Sequence, residues 1–321
     1  MEDRQEGKMS LVRLRMDLAY DGGGFHGWAR QPGLRTVQGC IEHALSLITG
    51  VHRSKDGIAH RRVVWEPRLV VAGRTDTGVH ASHQVAHLDI PAAVLEACRG
   101  HMGVDGVLAL ERRLRHLLPA DIVLLGLSMA PTGFDARFSA LERTYLYRVS
   151  QGGQPGDPRM RGYVLDLEGS LDLQAMNEAV AVCIGLHDFG SFARPNPGGT
   201  TIRKVLAAHW DLVPNVNLFE TAPGQSAVGY LPPFMESGLT VFRIVADAFA
   251  HNMVRSLVAA CIQVGQGRRS VQWFADKVAH PLREGSTGPI DARGLTLEHV
   301  AYPPDDQLAE RAQAIRARRT L

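Results

Sequence analysis

The sequence predicts an α+β protein made of two ferredoxin-like units, each running β-α-β-β-α-β. Three observations carry that prediction. Period-2 alternation marks strands and 3.6-residue apolar stripes mark helices, and both recur in this order twice, over 11–130 and again over 131–303. The chain has 321 residues, which at roughly 150 per domain suits two domains. A composition of 45% hydrophobic and 21% charged residues supplies a core to each half and excludes a disordered chain. Residues 1–10 read as a disordered N-terminus and 304–321 as a charged C-terminal tail.

In the first half, Leu11 to Tyr20 (LVRLRMDLAY) alternates as a half-buried strand does. A Gly-rich loop, DGGGFHGWARQPGLR, follows it. Thr36 then caps a helix whose Val37, Cys40, Ile41, Ala44, Leu45 and Ile48 form one stripe, closed by Gly50. Residues 51–66 are polar and irregular and read as a loop insertion. RLVVAGR and HQVAHLDI are two strands around the turn TDTGV. A helix from about Val104 to Leu118 stops before Pro119, and DIVLLGLSMA is the next strand.

The second half repeats the order without repeating the sequence. RTYLYRVS is a strand, and LDLQAMNEAVAVCIG is a helix with Leu173, Met176, Ala179, Val180 and Cys183 inward. IRKVLAAHWDLV and LTVFRIVADAF are strands separated by a Pro/Gly-rich excursion at 214–237. HNMVRSLVAACIQVG is a helix closed by Gly265, and LTLEHVAYP is the last strand. The tail DDQLAERAQAIRARRTL reads as a charged, frayed helix. Two such units set their sheets side by side and leave a central cleft. Sheet faces of this kind serve as RNA platforms, but a fold never assigns a function by itself.

Composition narrows the setting. Cys40, Cys98, Cys183 and Cys261 lie far apart with no C-x-x-C, so they read as buried thiols in a reducing compartment. No apolar run reaches the length of a membrane span, and MEDRQEGKMSLVRLRMDL lacks the apolar core of a signal peptide. The expected location is the cytoplasm. The net charge of +2 neither demands nor excludes a nucleic-acid partner. Arginine makes up 31 of the 35 basic residues, and its planar fork suits phosphates and stacks on bases. A GC-rich genome produces the same bias.

The densest chemistry lies in VVAGRTDTGVHASHQVAH, residues 70–87. An apolar strand runs into a Gly-flanked loop that holds Asp76. In an extended segment, residues i and i+2 project to one side, so Arg74 and Asp76 face the same space. A guanidinium beside a carboxylate favours the ionised form that a nucleophile needs. The residues alone leave a second reading open, a T-D-x-G turn in which Asp76 bonds backbone amides. His80, His83 and His87 do not suggest a metal, because His80 and His83 point to opposite faces of a strand. DGGGFHG lacks both the G-K-[ST] ending and the G-x-G-x-x-G order of nucleotide-binding loops. Trp28 in that loop reads as a packing residue, and Asp188, Phe189 and Phe192 as supports of the core.

Six blocks resemble the TruA family of tRNA pseudouridine synthases. GRTDTGVHA is similar to the family's catalytic motif, and AYDGGGFHGWARQPGLRTVQGCIEHAL to its N-terminal segment. LPADIVLLGLSMAPTGFDARFSALERTYLYRV, GLHDFGSFARP, AFAHNMVRSLVAACIQVGQG and GLTLEHVAYP follow in the family's order and extend the match over residues 11–303. The resemblance implies a pseudouridine synthase fold and isomerisation of uridine to pseudouridine at positions 38, 39 and 40 of the tRNA anticodon stem-loop. It implies no metal, no cofactor and a homodimer as the working unit.

Carried over residue by residue, it makes Asp76 the nucleophile and packs Tyr145 against the target base. Arg255 pairs with the Asp76 carboxylate, and Arg74 contacts RNA. Arg13, Arg15, Arg30, Arg35 and Arg143 are candidate phosphate contacts. Three positions depart from the family pattern: Thr77 replaces Ala, His83 takes a Gly-like place, and Asp135 stands where His or Asn is more usual. The alternative function is a non-catalytic tRNA-binding or chaperone protein derived from a synthase.

Overall fold

The computed structural model describes residues 10–50, 65–152, 157–194, 199–214, 235–282 and 287–315. Residues 1–9, nearly all of the 51–66 and 214–237 insertions, and the tail beyond 315 lie outside the described residues. The described chain is a mixed α+β protein of ten strands and seven α-helices. It divides into two compact units: Met1–Leu141 with Leu297–Arg318, and Glu142–Thr296 with Arg319–Leu321. No described helix is long and apolar enough to cross a membrane.

The first unit runs β1 (Leu11–Tyr20), α1 (Val37–Thr49), β2 (Leu69–Val71), β3 (His80–Pro91), α2 (Ala92–Ala97), α3 (Gly106–Leu117) and β4 (Ile122–Met129). β1 lies between β3 and β4, antiparallel to both, and β2 pairs with the outer side of β3. The alternation of β1 is its burial pattern: Leu14, Met16 and Leu18 are fully buried, and the residues between them are partly exposed. α1 starts at Thr36, whose hydroxyl accepts from Gly39 N–H, and stops at Gly50 with φ 71. The left-handed conformation there is one that glycine adopts without a Cβ penalty. α3 begins at Gly106 rather than Val104, because Asp105 caps it by accepting from Leu108 N–H. α2 has no counterpart in the sequence reading.

The opposite face of the β1–β3 sheet is covered by residues 131–140. Phe134 is buried there, 5.0 Å from the Tyr302 ring and edge-on to the His87 ring. The Arg15 guanidinium lies 5.2 Å from the Tyr302 ring centre. The last strand of the chain, Leu295–Ala301, lies beside β3 and from Leu297 onward belongs to this unit. Helix Leu308–Ile315 also returns here. It is docked rather than frayed, because Leu308 and Ala312 share one buried face at i, i+4 spacing. The first unit therefore owns both 131–141 and most of the chain's last strand, where alternation alone assigned them to the C-terminal half.

His87 makes this face sensitive to acid. Its ring is buried, and Nδ1 accepts the Ala136 N–H at 3.0 Å, so the ring must be neutral. Burial, helped by the Arg13 charge, pushes its pKa down to about 4. The unfolded chain takes up this proton near pH 6.5 and the folded chain only near pH 4. Stability is therefore complete above 6.5 and is lost as pH falls toward 4, by up to about 3 kcal/mol. Denaturant titrations at pH 7 and pH 4 should show this fall. His87→Asn, which keeps an acceptor for Ala136, should remove most of that difference.

The second unit runs β5 (Glu142–Gln151), β6 (Leu165–Leu167), α4 (Leu173–Ala181), β7 (Gly185–Asp188), β8 (Ile202–Leu212), β9 (Thr240–Ala246), α5 (Met253–Gly265) and α6 (Val271–Ala279), and reaches the first residues of β10 (Leu295–Ala301). Its strands lie in the order β5-β9-β8-β7 with antiparallel neighbours, and β6 is parallel to β5. The six elements expected from alternation are present. β6, β7 and α6 are additional, and α6 is capped by Ser270. Trp210 stacks on Phe242 at 4.9 Å, and Phe192 lies against Phe274. Cys183 and Cys261 are fully buried, and burial raises the Cys261 thiol to about 12, so both behave as small apolar residues. All four cysteines are free.

Candidate active site

Asp76 sits in the irregular loop 72–79 between β2 and β3. The loop backbone is braced along its length. Thr75 C=O accepts Trp28 N–H at 3.0 Å, and Gly78 N–H donates to Phe25 C=O at 3.3 Å. A turn closes on Asp76 C=O, which accepts Val79 N–H at 3.2 Å, with Gly78 at φ 78. The neighbouring glycine loop approaches so closely that side chains do not fit. A Cβ on Gly27 would lie 2.8 Å from Thr75 O, and one on Gly22 would lie 2.0 Å from Val79 O. DGGGFHG is thus a cradle for the Asp76 loop.

Exposure varies from residue to residue along this loop. Thr75 is buried, while Arg74 and Thr77 are exposed and Asp76 is half-buried. Arg74 is thus open to solvent, and Asp76 is more accessible than the Thr75 beside it. The Thr75 hydroxyl lies 2.8 Å from the Tyr20 hydroxyl. Gln84 Nε2 donates to Tyr20 Oη at 3.2 Å and to Gly73 C=O at 2.7 Å. Burial raises the Tyr20 phenol to about 12, so it stays neutral. Tyr20, Thr75 and Gln84 had no role in the sequence reading; a glutamine inside an apolar strand was the one available clue. Trp28 is fully buried beside the Tyr20 ring and packs.

The arginines divide by partner. Arg35 is bidentate on Asp121 at 2.7 and 2.8 Å and lies over the Phe25 ring at 4.0 Å. Arg13 is bidentate on Asp89 and also donates to Phe134 C=O. Arg15 pairs with Asp17. A phosphate would have to displace a carboxylate at each of these three. Arg30 is more open, 3.7 Å from both Glu42 and Glu66 and more than half exposed. Sequence spacing carries no information about such partners, which lie 76 and 86 residues away for Arg13 and Arg35.

In the second unit, Tyr145 on β5 is 7% exposed, with its ring edge-on to Phe249 at 5.0 Å. Arg143, two residues earlier, is buried and donates to Asp247 C=O at 2.5 Å. Arg255 is in the first turn of α5, and its Nε donates to Ile290 C=O at 2.6 Å. α5 starts at Asn252 with φ 63, the one left-handed non-glycine among the described residues. Phe189 and Phe192 are buried, and Asp188 accepts from Gly190 N–H and the Thr201 hydroxyl, a supporting role.

The three histidines have separate partners. His80 Nδ1 accepts Gly22 N–H, His83 Nε2 lies 3.0 Å from Asp17, and His87 Nδ1 accepts Ala136 N–H. No group of three metal-ligating side chains occurs among the described residues. His83 also stacks on His299 at 5.2 Å. Burial alone would raise the Asp17 carboxyl, but hydrogen bonds from His83 and Arg15 hold it below the usual carboxylate range. Asp135 Oδ1 accepts Arg137 and Phe138 N–H, an acceptor role that caps its own turn and that an Asn could fill equally.

Comparison with known proteins places the chain in a family. A protein named tRNA pseudouridine synthase A from Bifidobacterium longum (strain DJO10A) is 62% identical over 314 residues, 97% of this chain and 100% of its own length. The chain belongs to the tRNA pseudouridine synthase A family. The Streptomyces griseus protein of the same name is 42% identical over 323 residues, covering 100% of this chain and 98% of its own. The Mycobacterium leprae protein of that name is 42% identical over 304 residues, 94% and 93% of the two chains. A family description, tRNA pseudouridine synthase, matches residues 179–303, a stretch that carries Arg255 but neither Asp76 nor Tyr145. The synthase family thus extends over both units.

Proposed function

We propose that this chain isomerises uridine to pseudouridine at positions 38, 39 and 40 of the tRNA anticodon stem-loop, with Asp76 as the nucleophile. The observation that supports this best is the braced loop that buries Thr75, leaves Arg74 exposed and keeps Asp76 half-buried. In the reaction the N1–C1′ bond breaks and a C5–C1′ bond forms. A proton leaves C5 and one is gained at N1, with no net redox change. The carboxylate has two electrophiles available, ribose C1′ and uracil C6, and both routes need the nucleotide out of its stack. Extrusion costs a few kcal/mol. An aromatic ring beside the base returns roughly 1–3 kcal/mol, the role proposed for Tyr145.

Arg255 serves as the partner of the Asp76 carboxylate, and Arg74 and Arg30 as phosphate contacts whose contribution weakens with salt. Arg35 and Arg143 keep lesser parts, because each already has a protein acceptor. The ferredoxin-like order in each unit, the cytoplasmic location and the homodimer belong to the same proposal. Incubation with an unmodified tRNA transcript, followed by chemical mapping, should find pseudouridine at positions 38–40. Product confined to another arm would overturn the site assignment.

A further inference from the structure

We propose that Tyr20, Gln84 and Thr75 form a positioning relay that fixes the peptide carrying Asp76; this deepens the nucleophile reading and rests on it. The direction of the Gln84 bonds follows from chemistry. Gly73 C=O can only accept, so the Gln84 group 2.7 Å away is its amide N–H, and the second amide hydrogen goes to Tyr20 Oη. The Tyr20 and Thr75 hydroxyls share one hydrogen bond of 2.8 Å, in which either oxygen can donate. Gln84 Oε1 accepts Val85 N–H at 3.2 Å. One carboxamide thereby holds the loop directly at Gly73 and, through the phenol, at Thr75.

Stability alone does not account for this arrangement. Tyr20 and Thr75 are almost wholly buried and Gln84 is fully buried, beside the apolar Leu18, Trp28 and Val85. Replacing a satisfied buried polar pair by apolar groups of equal shape is often nearly neutral for folding. The relay instead confers a single conformation. Main-chain bonds to Trp28 and Phe25 and the turn from Asp76 C=O to Val79 N–H hold the backbone of residues 75–79, and the Tyr20 bond adds a hold on the Thr75 side chain. Tying the buried Thr75 hydroxyl to Tyr20 anchors the residue that directly precedes the half-buried Asp76. Because the phenol keeps its proton to about pH 12, the relay works unchanged over any assay range.

The test compares single-turnover rates on an unmodified tRNA transcript for wild type, Tyr20→Phe, Thr75→Val, the double variant, Thr75→Ser and Asp76→Asn. Both single variants keep shape and lose one end of the bond. Each should lower the single-turnover rate roughly tenfold, the worth of one buried hydrogen bond, with tRNA affinity unchanged within twofold. The double variant should be no slower than either single, and Thr75→Ser should keep the wild-type rate. Tyr20→Phe or Thr75→Val reacting at the wild-type rate, or losing tRNA affinity instead, overturns the relay. So does a fully additive double variant. If Asp76→Asn is inactive while Tyr20→Phe is fully active, only the relay fails; if Asp76→Asn reacts normally, the nucleophile reading fails.

Discussion

An Asp76→Asn variant is expected to bind tRNA with wild-type affinity and to form no measurable pseudouridine. Asn has the shape of Asp and keeps one acceptor oxygen, so the turn closed by the residue-76 carbonyl and Val79 N–H survives. The attacking negative charge alone is lost. Removing a nucleophile costs about 10⁴-fold or more in turnover, whereas affinity for RNA comes from cationic contacts that the substitution leaves in place. Single-turnover assays and filter binding on one tRNA transcript measure both quantities. A variant within tenfold of the wild-type rate would remove Asp76 from the chemistry. A non-catalytic tRNA-binding protein would be indifferent to the change in binding and would show no turnover to lose.

Gly27→Ala should have the next largest effect, on folding and turnover together. Residue 27 has φ 83, which an L side chain adopts at a cost of about 1–2 kcal/mol. The new methyl would also lie 2.8 Å from Thr75 O and 3.2 Å from the carbonyl carbon of Asp76. Both atoms belong to backbone and cannot rotate away, so the Asp76 loop must shift. The combined loss is expected near 2–4 kcal/mol, with a slower single-turnover rate under conditions where the protein stays folded. Gly33 supplies the control. It has φ 73 in the same loop, but a Cβ there meets nothing within 4 Å. Gly33→Ala should cost only the backbone term and leave the rate alone; equal rates for the two variants would show that the close approach of Gly27 has no bearing on the loop.

Much of this protein follows from local chemistry. The strand at 11–20, the Thr36-capped helix and the helix at 253–265 are legible because alternation, capping and helical stripes are properties of neighbouring residues, and GRTDTGVHA is legible as a motif for the same reason. The short helix at 92–97 was not, since six residues carry too little periodicity to stand apart from a loop, and the helix at 271–279 is absent from the sequence reading although Ser270 caps it. Tertiary structure alone decided which arginines are tied up, because Asp89 and Asp121 reach Arg13 and Arg35 only through the fold. It also returned most of the last strand and the last helix to the first unit and brought Gln84 and Tyr20, 64 residues apart, to the back of the Asp76 loop. Hydrogen bonds and ion pairs act over about 3 Å of space, and sequence patterns describe only distance along the chain.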